Sequence, residues 1–300
     1  MRTLLLPVFF GIVWLPLRSQ IADRGTYLKD IKVELTKKWP ENRTLNMVFH
    51  GHSVPAGYFR TPDVRTLQAY PQLVLQAVKE VYPYATVNAI TTATGGENSE
   101  QGAKRFRQEV LTHRPDVIFI DYALNDRGIG LERARTAWEA MIEEAIDANV
   151  KIILLTATPD TSVNILDEQT ALAQHARQIR ELAEKYHTGF IDSYAAFREK
   201  KVNGEDIVEY MSQINHPNEK GHSLVRDSII PWLMNEQETK IRSQPAQSYI
   251  GIGKDAQLTE YSRMILGQCR ARFDSSGRGA VFVARIAVLQ KYYRKKRIYL

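Results

Sequence analysis

The stretch Leu45-Asn46-Met47-Val48-Phe49-His50-Gly51-His52-Ser53-Val54-Pro55-Ala56-Gly57 runs from an apolar strand straight into a tight turn. Leu45–His50 reads as a buried strand, short, rich in Leu, Met, Val and Phe, and closed by glycine. A serine in the turn that follows presents its hydroxyl and its own backbone N–H outward. The small residues beside it let a substrate come close. Taken alone, the segment fits a serine that serves only turn geometry as well as it fits a nucleophile.

Outward from this unit the same alternation recurs. Ala85–Thr91, Val117–Ala123, Lys151–Ala157 and Gly189–Asp192 read as further buried strands. Helical patterns cover Tyr27–Lys38, Val64–Val81, Glu100–His113, Leu131–Asn149, Asp167–Tyr186 and Asn218–Asn235. In the fifth of these, Leu172, Ala176, Ile179 and Leu182 form an apolar stripe at spacings of three and four. Strand–helix alternation of this kind implies a parallel sheet covered by helices on both faces. In such sheets ligands gather at the carboxyl ends of the strands.

Chemically able residues fall at those ends. Gly95-Gly96-Glu97-Asn98-Ser99 follows the second strand, where a glycine N–H can face a developing oxyanion or the loop can simply lead into a capped helix. Asn125 follows the third strand, either as a turn former or as a side-chain donor. Asn215-His216-Pro217-Asn218 precedes the last helix. Ser53, Gly96, Asn125 and His216, in this order, resemble the four blocks of the SGNH/GDSL hydrolases, a resemblance that spans Leu45 to Leu233. Glu97–Phe106 is similar to that family's second block and the helix after it.

The resemblance implies an α/β fold: a flavodoxin-like three-layer α/β/α sandwich with a five-stranded parallel sheet in the order 2-1-3-4-5. It implies ester or thioester hydrolysis without a cofactor or metal. Ser53 is then the nucleophile and His216 the general base and acid. The Ser53 N–H, the Gly96 N–H and the Asn125 side chain form the oxyanion hole. Two positions depart from the family pattern. His52 stands where the first motif has Asp, and Gln213 stands where Asp-x-x-His has its acid. Gln213 can accept the imidazole Nδ1–H but brings no charge. A Ser–His dyad held by Gln213 or by a backbone carbonyl answers the pattern. Asp192, at the end of the fifth strand, is a weaker candidate for a relocated acid.

Bulk composition bounds this reading. With 44% apolar and 25% charged residues the chain is an ordinary globular protein. Its single cysteine, Cys269, excludes an intramolecular disulfide and earns no role. Residues 270–300 hold nine Lys or Arg and one Asp, a net +8. The remaining 269 residues carry 31 cations and 33 acids, a net −2. The basic balance therefore belongs to the tail, and nucleic acid is not an expected partner.

Arg2 followed by the uncharged Leu4–Leu17 reads as an export signal over residues 1–19, too short for a comfortable membrane span. Residues 20–44 form a helical lead-in, 45–237 the hydrolase domain, and 238–300 a basic extension. A secreted or periplasmic location without stable membrane insertion follows from that signal. The expected activity is esterase action on short acyl groups, acetyl foremost, of a small-molecule or carbohydrate ester. Lysophospholipase, thioesterase or acyl-transfer chemistry on the same residues, or a decayed glycan-binding module, are the alternatives.

Overall fold

A computed structural model describes residues 20–234. The expected export signal, the basic extension and Cys269 lie outside the described residues. Five strands form the parallel sheet: β1 (Thr44–Gly51), β2 (Thr86–Thr91), β3 (Val117–Asp121), β4 (Lys151–Leu155) and β5 (Gly189–Ile191). Their order is β2-β1-β3-β4-β5. The first connection runs outward to one edge and the others run toward the opposite edge. The switch point therefore falls between β1 and β3, beside Gly51 and Asp121, which pair in register.

The lead-in forms helix α1 (Lys29–Thr36), and later helices cover both faces of the sheet. On one, α3 (Tyr70–Val81) packs on α9 (Glu219–Leu233), and α9 on α8 (Ser193–Val202). On the other, α4 (Ser99–Glu109) packs on α6 (Leu131–Asp147), and α6 on α7 (Ala171–Tyr186). Between them every residue of β3 is buried, and Phe49 stacks on Phe119 with ring centroids 4.6 Å apart. Strands buried on both faces need continuous apolar runs, which β3 and β4 carry, and β1 carries in Met47–Phe49. The edge strand β2 is only half covered.

Local outcomes differ from the sequence pattern at several boundaries, among them the strand expected to Ala157, which ends at Leu155, and the helix expected from Asp167, which begins at Ala171. The helix expected from Val64 begins only at Tyr70, because Pro71 sits in its first turn, where the missing N–H costs nothing. The strand expected to reach Ala123 stops at Asp121, and Ala123–Asp126 forms a one-turn helix, α5. Helix α8 and the small antiparallel hairpin of β6 (Met211–Gln213) and β7 (His216–Pro217) are additional elements. Among the described residues no helix is long and apolar enough to cross a membrane.

Two histidines are locked into this scaffold as neutral rings. His50 in β1 contacts Thr92 Oγ1 through Nδ1 at 2.9 Å. His222 in α9 accepts the Tyr70 N–H through Nδ1 at 3.2 Å. Burial pushes both down to about 3, with Arg105 adding to the effect at His50 and His216 at His222. In the unfolded chain such rings titrate near 6.5. Below that pH the unfolded state binds the protons first, so stability falls as pH drops from 6.5 toward 3 and is level in this respect above 6.5. The melting temperature should decline over that acidic window. His222→Gln, which keeps an acceptor for the Tyr70 N–H, should flatten the decline in thermal melts taken as a pH series.

Candidate active site

Ser53 opens a one-turn helix, α2 (Ser53–Ala56), directly after β1. Gly51 permits this turn, since a Cβ there would lie 2.4 Å from the Asp121 carbonyl oxygen. Gly57 closes α2 at φ 95°, a left-handed conformation suited to glycine, and donates its N–H to the Ser53 carbonyl. His52 caps α2, its Nδ1 accepting the Val54 N–H at 3.2 Å. The ring is fully buried. Its Nε2 faces Asp121 Oδ1 at 3.3 Å without a well-aligned hydrogen bond. Asp121 Oδ2 accepts the Tyr70 hydroxyl at 3.1 Å. The residue in place of the family's Asp thus does a capping acceptor's work.

His216 arrives on β7, with Nε2 2.8 Å from Ser53 Oγ. Its other nitrogen has two neighbours, the Phe59 carbonyl oxygen at 3.1 Å and Gln213 Nε2 at 2.7 Å. These demand opposite tautomers. An Nδ1–H donated to Phe59 leaves Nε2 free to take the serine proton. An amide N–H donated by Gln213 to Nδ1 puts the ring proton on Nε2, the wrong place for a base. The amide orientation is set by Gln213 Oε1, which accepts the Thr61 backbone N–H at 3.0 Å. Of the two expected acceptors for the Nδ1–H, Gln213 or a backbone carbonyl, Gln213 presents its amide nitrogen, and the oxygen within reach is the Phe59 carbonyl. Burial holds His216 below its ordinary 6.5, the Phe59 carbonyl opposes this, and His52 adds to it.

Asp192 stands apart from the imidazole. It caps α8 through the Ala195 N–H, accepts from Thr156 Oγ1 at 3.0 Å, and pairs with Arg180. Gly96 follows β2 at φ 78°, exposed, with nothing within 4 Å of where a Cβ would stand. Its loop is tied to the serine segment by the Thr94 N–H, which donates to the Gly51 carbonyl. Asn125 lies in α5, its Nδ2 donating to the Glu97 carbonyl at 2.8 Å and keeping a second N–H. Tyr58 was not singled out by the sequence pattern. Its ring centroid is 6.0 Å from that of His216, and the ring packs so closely on Gly95 that a Cβ there would meet it at 2.9 Å. Among the described residues no group of three or more His, Cys, Asp or Glu is arranged to hold a metal ion.

Residues 49–224 match the GDSL-like Lipase/Acylhydrolase family, more than half of the sequence. The chain belongs to this family of ester-bond hydrolases. No curated protein sequence matches the chain. Among solved structures, this GDSL-family chain is similar to the acetylxylan esterase Axe2 of Geobacillus stearothermophilus. The two are 19% identical, with a TM-score of 0.55 over 63% of this chain and 94% of that one. It is also similar to a two-domain esterase, CEX, active on acetylated mannans, at 20% identity, with a TM-score of 0.58 over 77% of this chain and 57% of that one. At such identities the likeness shows the shared fold.

Because the Phe59 carbonyl remains when Gln213 is truncated, Gln213→Ala should change turnover by less than about 10-fold. Replacing a triad acid by its amide costs about 10,000-fold. Gln213→Asp should raise turnover and move the acid limb of the pH–rate profile upward, since a nearby carboxylate favours imidazolium. A profile that stays in place in Gln213→Asp would contradict this reading of the pair.

Proposed function

We propose that the protein is a serine esterase that removes short acyl groups, acetyl foremost, from carbohydrates. The observation that carries this reading is the 2.8 Å contact between Ser53 Oγ and His216 Nε2 in a buried pair. In the first half-reaction Ser53 Oγ attacks the ester carbonyl carbon while His216 Nε2 takes its proton. The negative charge that appears on the carbonyl oxygen meets the Ser53 N–H, the Gly96 N–H and the free Asn125 N–H. As the intermediate collapses, His216 returns the proton to the sugar alkoxide, which leaves. Water then repeats the sequence on the acyl-enzyme, releasing the carboxylic acid. The Phe59 carbonyl holds the Nδ1–H throughout.

The carbohydrate part of the proposal draws on the two similar structures, whose proteins act on acetylated xylan and acetylated mannans. Short acyl preference draws on Tyr58, whose ring packs against Gly95 and has its centroid 6.0 Å from that of His216, and which in this proposal bounds the acyl pocket. Export through residues 1–19 would bring the enzyme to such polymers and is part of the same proposal.

Acetate release from acetylated xylo- and manno-oligosaccharides tests the reading, with longer acyl esters and thioesters as competitors. Ser53→Ala and His216→Ala should each remove nearly all turnover, and a fluorophosphonate should label Ser53. Glycan binding with no acetate release and no labelling would point instead to a binding module. Since the base must be neutral, the rate should fall only as pH drops through the lowered His216 value, placing the acid limb below 6.5. Tyr58→Ala should raise activity on butyryl relative to acetyl esters. An unchanged ratio would remove Tyr58 from the acyl pocket.

A further inference from the structure

The Glu97 side chain touches neither Ser53 nor His216, yet it is 7% exposed and tightly held. Arg105 Nε donates to its Oε1 at 2.7 Å, and Arg105 Nη2 pairs with its Oε2. The Tyr122 hydroxyl donates to Oε2 at 2.8 Å and receives Arg105 Nη2 at 3.2 Å. Burial raises the Tyr122 phenol far above its ordinary value, so it stays a donor. Room for that ring beneath α4 exists because residue 102 is glycine; a Cβ there would stand 2.3 Å from the Tyr122 ring. His50 Nε2 lies 3.1 Å from the same hydroxyl.

This cluster grips both outlying oxyanion donors. Glu97 follows Gly96 directly, and Gly96 has no packing where a side chain would be to hold it. The Glu97 carbonyl accepts the Asn125 Nδ2–H. Tyr122 in turn accepts the backbone N–H of Asn125 through its own carbonyl at 3.1 Å. One buried carboxylate therefore ties the loop after β2 to the turn after β3.

We infer that Glu97, clamped by Arg105 and Tyr122, is a positioning residue of the oxyanion hole: it sets the Gly96 N–H and the Asn125 amide where the transition-state oxygen will be. The inference rests on the esterase reading above. An interaction made only in the transition state lowers kcat when it is lost and leaves KM in place.

The test measures kcat and KM on an acetylated xylo-oligosaccharide, affinity for a boronic acid that mimics the tetrahedral intermediate, and melting temperature. It compares the wild type, Glu97→Gln, Asn125→Ala and their double variant. Losing one oxyanion donor outright costs about 100- to 1,000-fold, so misplacing two should lower kcat by about 10- to 100-fold in Glu97→Gln. KM should stay within about twofold, and boronate affinity should fall in step with kcat/KM. In the Asn125→Ala background Glu97→Gln should cost distinctly less, because the two act through one site. Should Glu97→Gln fail to fold, Tyr122→Phe removes only the hydroxyl, with its contacts to Glu97, Arg105 and His50, and leaves the Arg105–Glu97 pair, so it should show the same pattern with a smaller drop in kcat. The inference is overturned if melting temperature falls while kcat and boronate affinity hold, or if the two substitutions are simply additive. A wild type that neither hydrolyses nor labels at Ser53 overturns the esterase reading itself, an outcome distinct from a normal Glu97→Gln enzyme.

Discussion

Ser53 and His216 stand 163 positions apart in the chain, and the contact between their side chains places demands on most of the fold. Both are polar and buried, and a buried polar group left without a partner is costly. The serine is fixed by the turn after β1, which exists only because Gly51 lets β1 and β3 approach. The histidine is fixed by the short β6–β7 hairpin and by Asn218, which caps α9 and donates to the Glu209 carbonyl. Phe59 joins the two sides. Its carbonyl meets His216 Nδ1, and its ring stacks on His222 of α9 at 5.0 Å. A shift of the hairpin relative to α2 would break the serine contact and the Phe59 contact together.

The strands were legible in the sequence because burial on both faces leaves no polar alternation, as in Val117–Ile120 and Ile152–Leu155. Ser53, Gly96, Asn125 and His216 could each be placed just past a strand or before the last helix, but each alone suited a turn or a cap, and only their order, through the resemblance to the SGNH/GDSL blocks, singled them out. That a backbone carbonyl could serve His216 Nδ1 was legible, but which carbonyl was not. A backbone carbonyl has no residue-type signature, so Phe59 looked like one more apolar position. The hairpin that carries the histidine is too short and too polar, Met211-Ser212-Gln213, to announce a strand. Helix α8 escaped notice because ten residues with only Tyr194 and Phe197 as large buried side chains make a faint stripe.

The two departures from the family pattern have different physical consequences. At position 52 the structure needs an acceptor for the Val54 N–H, and an imidazole nitrogen supplies one as a carboxylate would. Position 213 is another matter, because there a charge has gone. The amide that replaced it is oriented by the Thr61 N–H, so it presents a donor where the mechanism wants an acceptor. The Phe59 carbonyl and the Gln213 amide thus pull the same imidazole toward opposite tautomers, and only the first leaves Nε2 free to act as a base.

With no carboxylate beside Nδ1, burial acts on His216 against only a neutral carbonyl, and the ring's proton affinity falls. Such a base is present in its active form further into the acid range than a free histidine, but it is a weaker base in the transition state. Less of the barrier is then removed by imidazolium stabilisation, and more of it must be removed where the negative charge forms. In the proposed mechanism that shifts the burden to the Gly96 and Asn125 donors, which meet at the loop after β2 through the Asn125 bond to the Glu97 carbonyl. The buried Glu97–Arg105–Tyr122 cluster behind that loop is placed to hold them with charge-assisted contacts, which is what the proposed dyad, short of one charge, requires.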